Sequence, residues 1–198
     1  MTVHWIHISE SQMPVLPPEL NIYPDELFED VCYLSETSCW FALHTKPRAE
    51  KKLARALLRW QIPFYLPLWV KWSRRQGRDV PSYLPLFPSY VFVVATDGQR
   101  IQIDRTGLVA DFLEPPDRDE LVGDLRALKK ILEAAVPFHL HQYLAAGKLV
   151  RVQEGVLAGM DGYAISHGEE HHVFFPVGFV KQGVSIAVPV EHVLPLVA

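Results

Sequence analysis

The chain has 198 residues, 49% hydrophobic and 21% charged, the composition of a globular protein with room for one large domain or two small ones. No apolar run approaches the ~20 residues of a membrane-spanning helix, and Met1 to Gln12 lacks the basic start and apolar stretch of a secretory signal, so a cytoplasmic protein without a membrane partner is expected. The net charge of −4 argues against a generic nucleic-acid binder, but the average hides an asymmetry. Residues 1–38 hold seven acids and no Lys or Arg, with prolines at 14, 17, 18 and 24. This acidic extension is expected to be a mostly extended arm; alternatively, a short stretch from Leu20 to Phe28 docks on its own domain. Cys32 and Cys39, the only cysteines, form no CxxC or zinc-type pattern and are expected to be reduced thiols.

Order is expected from residue 39. Trp40 to Thr45 is a short apolar strand, Thr45 a candidate N-cap, and Pro47 falls in the first turn of a helix that runs to about Trp60. Ala49, Leu53, Ala56, Leu57 and Trp60 recur at helical spacing and define its buried face, while Arg48, Lys52, Arg55 and Arg59 form a basic stripe beside it. A second strand, about Phe64 to Trp72, leads into the basic tip Ser73 to Asp79. The chain returns as Leu84 to Ala95, followed by a helical turn (Asp97 to Asp104) and a fourth strand (Gly107 to Leu113). The order βαββαβ predicts a ferredoxin-like antiparallel sheet with packed helices over residues 39–136. After Pro115 and Pro116, Asp117 and Glu120 have capping-box spacing, and Leu121, Leu125, Leu128, Leu132 and Ala135 stripe a last helix that ends before Pro137. Residues 137–147 read as a linker. From 148 to 198, five short strands separated by glycine turns predict a small all-β SH3-like barrel, so the fold class is α+β.

Between Lys46 and Arg78 stand ten basic residues and one acid, Glu50. Lys46, Lys52 and Arg59, with Arg74, Arg75 and Arg78 at the tip, are the candidate phosphate contacts, and Trp69, Trp72 and Tyr83 are candidates to stack on unpaired bases. The nine histidines raise a metal hypothesis. His167 to His171 formally matches H-x-x-E-H, but Gly168 and the strand-like flanks make it a hairpin turn rather than the helix that zinc chemistry requires. His139 and His141 alternate with Phe138 and Leu140, as in a packed linker. No phosphate-binding glycine loop or nucleophile arrangement occurs, so no enzyme, catalytic residue, cofactor or metal is expected.

Two motifs carry a resemblance. Pro85-Leu-Phe-Pro-Ser-Tyr-Val-Phe-Val93 resembles the PLFPGYVFV signature of the NusG N-terminal domain. Leu149-Val-Arg-Val-Gln-Glu-Gly-Val-Leu-Ala-Gly-Met-Asp-Gly162 resembles the KOW motif. Together they cover about residues 39–197 and mark the chain as similar to the NusG family of transcription elongation and antitermination factors. The resemblance implies that an apolar surface including Phe87, Tyr90 and Phe92 docks on the clamp helices of the largest RNA polymerase subunit. It also implies that the first helix and hairpin tip touch the non-template DNA strand, and that the KOW barrel recruits ribosomal protein S10 or Rho through Val156, Leu157 and Ala158. A monomer is expected. Ser89 stands where the family has Gly, so its backbone is expected to avoid glycine-only angles. Val156 stands where the family has Pro. With the unmatched acidic extension, these departures favour a specialised, RfaH-like paralogue that suppresses pausing or termination at particular operons. The alternatives are the housekeeping NusG and, from another class, a KOW-type ribosomal or RNA-binding protein.

Overall fold

The computed structural model describes residues 20–29, 37–75, 77–142, 147–167 and 170–196, with the side chains of Arg75, His167 and Glu170 left out. Most of the acidic arm, Cys32 and the turn residues Gly168 and Glu169 lie outside the described residues.

The described chain is mixed α/β. Its first part contains β1 (Ile22–Tyr23), β2 (Cys39–Thr45), α1 (Glu50–Arg59), β3 (Phe64–Tyr65), β4 (Leu68–Arg75), β5 (Arg78–Pro85), β6 (Tyr90–Ala95), α2 (Asp97–Asp104), β7 (Val109–Leu113) and α3 (Arg118–Glu133). β1, β3, β6, β2 and β7 form one antiparallel sheet in that order, and β4 and β5 leave it as a separate two-stranded ribbon.

The period-two alternation of strands sorts the side chains onto two faces. Phe41, Leu43, Phe64, Val91 and Val93 point toward Leu53, Ala54 and Leu57 of α1 and Ile103 of α2, forming one closed core. Trp40, Ala42, Tyr65, Phe92 and Val94 belong to a second core that also contains Leu121, Leu125, Leu128 and Ile131 of α3.

Four local expectations need correction. Thr45 does not cap α1: it ends β2 with its Oγ1 buried and unpartnered. Arg48 takes a left-handed φ of 62°, and the helix starts at Glu50 behind Ala49. The second strand is also not one strand. Proline at 67 lacks the N–H a ladder needs, so the chain bends there, and Val70 and Trp72 go to the exposed ribbon rather than to a sheet face. The return likewise divides into β5 and β6, with a turn at 86–89 between them. In α3 the buried stripe is Leu121, Leu125, Leu128 and Ile131; Leu132 is half-buried, and Ala135 lies past the helix with φ 52°.

The arm's alternative reading is the one found for residues 20–29. β1 pairs with β3, and Leu27 and Phe28 are buried. Phe28 stacks on Trp40 at 5.9 Å and meets Tyr65 edge-on at 5.2 Å, while Arg126 of α3 donates to its carbonyl at 2.7 Å.

The second part comprises β8 (His139–Gln142), β9 (Lys148–Val152), β10 (Asp161–His167), β11 (Glu170–Val177), β12 (Gln182–Ala187) and β13 (Val193–Pro195), in the order β13-β9-β10-β11-β12-β8. The five expected strands are present, each bound within about two residues of its forecast. β8 falls in the expected linker: His139 to Gln142 pair with Ser185 to Gln182. Gly183 is required by packing, since a Cβ there would stand 2.5 Å from the Phe175 carbonyl and 2.7 Å from the Phe174 ring. Val150, Val173, Phe175 and Val184 from this sheet join the core that holds α3, so the helix is buried between the two parts.

Candidate nucleic-acid and partner interface

The charged side of α1 follows directly from its apolar side. Once Leu53, Ala54, Ala56 and Leu57 are buried, helical geometry turns Lys52, Arg55 and Arg59 to solvent, and Arg48 is exposed in the preceding turn. Lys46 is exposed as well, its N–H donating to the Leu108 carbonyl at 2.8 Å.

On the ribbon, Lys71, Arg74 and Arg78 are exposed. Arg75 and Arg78 stand opposite one another in register, as do Arg74 and Asp79. Leu68, Val70, Trp72, Pro81 and Tyr83 share one ribbon face by alternation. Trp72 is 65% exposed, whereas Trp69 is half-buried with its ring edge-on to Phe138 at 6.4 Å. The six candidate phosphate contacts are therefore split between two elements, α1 with its preceding turn and the ribbon tip.

The turn between the ribbon and β6 carries the aromatic candidates. Ser89 adopts φ 66°, in the left-handed region that favours glycine but that other residues can enter. Two long-range bonds hold it there: its N–H donates to Glu50 at 2.7 Å, and its carbonyl accepts from the Thr45 N–H at 2.8 Å. Glu50, the single acid of the basic stretch, is thus a buried turn-holder, a role its position in the charge pattern did not reveal. Of the three aromatics, Tyr90 is half-buried beside His44, whereas Phe87 and Phe92 are core residues, packed edge-to-face at 6.4 Å in the cluster shared with α3. In this arrangement α3 and residues of the second sheet pack on that side.

In the loop after β9, Gly155 and Gly159 have φ of 86° and 83°, and Ala158 N–H bonds the Gly155 carbonyl at 3.1 Å. Val156 (63% exposed) and Ala158 face solvent, while Leu157 is buried and pins the loop to the core. Lys130 of α3 donates to the Ala158 carbonyl at 3.4 Å.

α3 meets the second part of the chain through a half-buried carboxylate, next to the turn that follows β11. Asp124 accepts from the Gly178 N–H at 2.9 Å. Burial pushes its pKa up to about 6, the Gly178 bond opposes the rise, and the Glu120 charge adds to it. A group whose proton is held more tightly when folded supports the packed state below its ordinary pKa and loses that support as pH rises through the folded value. The contact is therefore strongest below about pH 4 and weakens from there to about pH 6. Asp124→Asn, which removes the charge but keeps an acceptor, should raise thermal stability at pH 7–8 by about 1 kcal/mol after allowing for solvent screening. Thermal melts of the two proteins should converge at pH 4.

His167 and Glu170 are strand partners across β10 and β11, so neither lies in a helix; Gly168 and Glu169 lie outside the described residues. Among the described residues, no group of three or more His, Cys, Asp or Glu is placed to hold a metal ion. His141 Nε2 and the buried His172 Nδ1 instead share the Ser185 hydroxyl, at 2.8 and 3.2 Å, which fixes β8 to β12. Ser185 gave no signal in the sequence. Among the described residues, no helix is long and apolar enough to cross a membrane.

The first part of the chain thus combines a sheet backed by two helices, an exposed basic helix face and a projecting basic ribbon. Residues 38–123, which span these elements, match the family model described as "Transcription termination factor nusG". Residues 38–123 are thus similar to the domain that this family shares. The search of curated proteins finds no match. Among solved structures, the chain is similar to one titled "Domain interaction in Thermotoga maritima NusG", at 15% identity and a TM-score of 0.43, covering 82% of this chain and 99% of that one. A second, "Crystal Structure of MjSpt4:Spt5 complex conformation B", has 16% identity and a TM-score of 0.26, covering 80% and 97%. At these TM-scores neither likeness defines how the parts of this chain are arranged.

Proposed function

We propose that this protein is a transcription elongation and antitermination factor that binds RNA polymerase at the clamp helices of its largest subunit and suppresses pausing or termination at particular operons. The observation that carries this reading is the likeness of residues 38–123 to the NusG family's domain, with its basic face turned to solvent. That family is one of transcription factors rather than enzymes. The strand order β3-β6-β2-β7, with α1 and α2 on one face, supports the ferredoxin-like reading of residues 39–136. The short strands and glycine turns of 148–198 support the KOW barrel, with 137–147 between them.

In this reading the mechanism is steric and electrostatic. The side of the sheet that carries Phe87, Tyr90 and Phe92 anchors the factor once α3 and the barrel move aside. Lys46, Lys52, Arg59, Arg74, Arg75 and Arg78 neutralise phosphates of the non-template strand. Val156 and Ala158, with Leu157 setting the loop, offer the contact for ribosomal protein S10 or Rho. The bound factor shifts the polymerase away from paused conformations, a population effect. It works as a cytoplasmic monomer.

The test is crosslinking to the non-template strand of a transcription complex. Lys52→Glu with Arg59→Glu should lower crosslinking at least tenfold, as expected when several phosphate contacts are reversed. Unchanged crosslinking would remove the basic face from the mechanism.

A further inference from the structure

Where α3 meets the second part of the chain, two carboxylates converge on one backbone donor. Asp124 takes the Gly178 N–H at 2.9 Å. Glu120, one turn earlier on the same helix face, reaches the same place: a Cβ on Gly178 would stand 3.5 Å from Glu120 Oε1 and 3.8 Å from Asp124 Oδ2. The rest of the contact is apolar. Leu121, Leu125 and Leu128 of α3 share a core with Phe175 and Val177 of β11 and with Val180 of the turn Gly178–Val180. A charge on Asp124 therefore stands at the margin of an apolar contact, beside a second acid, with one N–H to hold it.

We propose that this arrangement is a latch closed by acid: the second part of the chain stays seated on α3 while Asp124 holds a proton, and the seat loosens as Asp124 ionises.

The protonated form suits the closed state on three counts. A neutral carboxyl costs less to bury, carries no charge against Glu120, and still accepts from the Gly178 N–H through its carbonyl oxygen. Burial is the largest effect holding the proton on; the Gly178 bond opposes it and the Glu120 charge adds to it, so the proton stays up to about pH 6 while the parts are together. Once the parts separate, Asp124 lies on an open helix face, where a carboxyl loses its proton near pH 4.

The other charged groups leave this balance in place. On α3, Arg126 donates to the Phe28 carbonyl and Lys130 to the Ala158 carbonyl. Pro176, Val177, Phe179, Val180 and Gln182 around Gly178 do not ionise, and Lys181 is exposed. Among the described residues, no Lys or Arg forms an ion pair with Glu120 or Asp124.

The sign follows from the raised pKa. Closure is favoured most below the open-state value and loses that advantage as pH rises through about 6. After allowance for the solvent that reaches a half-buried group, the ratio of closed to open molecules should fall roughly three- to tenfold between pH 5 and pH 7.5. Acid thus covers, and neutral pH frees, the side of the first sheet that bears Phe87 and Phe92. That consequence for polymerase rests on the function proposed above; the latch does not.

Hydrogen exchange on the full chain, with no polymerase present, tests the latch apart from that function. Corrected for the intrinsic pH dependence of exchange, protection of the Gly178 amide should fall roughly three- to tenfold from pH 5 to pH 7.5. In Asp124→Asn, which keeps an acceptor but cannot ionise, it should stay level; in Glu120→Gln the fall should shrink but persist. Gly178 should be less protected than the amides of β2 and β6 throughout, because parting leaves the first sheet folded. The rotational correlation time of the second part should be shorter at pH 7.5 than at pH 5 in the unaltered protein and not in Asp124→Asn. Protection that is level in the unaltered protein, or that falls as far in Asp124→Asn, would overturn the proposal. So would Gly178 protection equal to that of β2 and β6, which means that only whole unfolding exposes it, or a fall without a change in tumbling, which is fraying of the turn alone.

Discussion

Replacing Phe28 with Ala should lower the stability of the folded protein by about 3–5 kcal/mol, the range for removing a large buried aromatic. The side chain is only 6% exposed, sandwiched between a stacked Trp40 and an edge-on Tyr65. Its loss would leave a void that neither β-strand residue can readily relax into, since Tyr65 is paired with Ile22 and Phe92 and Trp40 with Val94. The Arg126 bond to the Phe28 carbonyl then loses its fixed acceptor, which weakens the hold of α3 as well. Denaturant unfolding followed by tryptophan fluorescence measures the effect directly. A loss under 1 kcal/mol would mean that residues 20–29 only lie on the surface and are not a structural part of the first sheet.

That residue also shows where the sequence was legible and where it was not. Strands with regular periodicity, such as β2, β7 and the five strands after residue 147, emerged close to their forecast bounds because burial on one face imposes its period on the chain. The short segment around Phe28 has no period to read. Two strand residues and a turn become ordered only because Tyr65 and Trp40 offer them a surface, which is tertiary information. The same holds for β8, whose four residues are a strand only against β12. At the site, the exposure of Lys52 and Arg59 followed from the helical stripe. The burial of Phe87 and Phe92 did not, because alternation tells which residues share a face but not what covers it. Ser89 is a similar case: a side chain in the left-handed region is tolerable there because Glu50, 39 positions away, grips its N–H.

The covering of Phe92 leads to the second large effect. Leu125 is fully buried in α3, in the core shared by the first sheet's aromatics and by Val173 and Phe175 of the second. Leu125→Asp removes a buried aliphatic side chain, at about 2–5 kcal/mol, and would in addition bury a charge with no partner. The chain avoids that second cost by letting α3 leave its seat, so the expected product is not an unfolded protein but one whose first sheet is uncovered. The core between that sheet and α1 and α2 does not involve Leu125, and it should keep its far-UV signal and its protected amides. If the aromatic side of the sheet is the polymerase anchor, affinity in the unaltered protein is reduced by the fraction of molecules in which that side is open. Leu125→Asp would then raise recovery of RNA polymerase in a pull-down by roughly tenfold or more, and adding Tyr90→Ala would reverse the gain. Recovery that merely falls with the folded fraction would show that the buried aromatics serve packing alone, and that any hold on the polymerase comes from a surface already exposed.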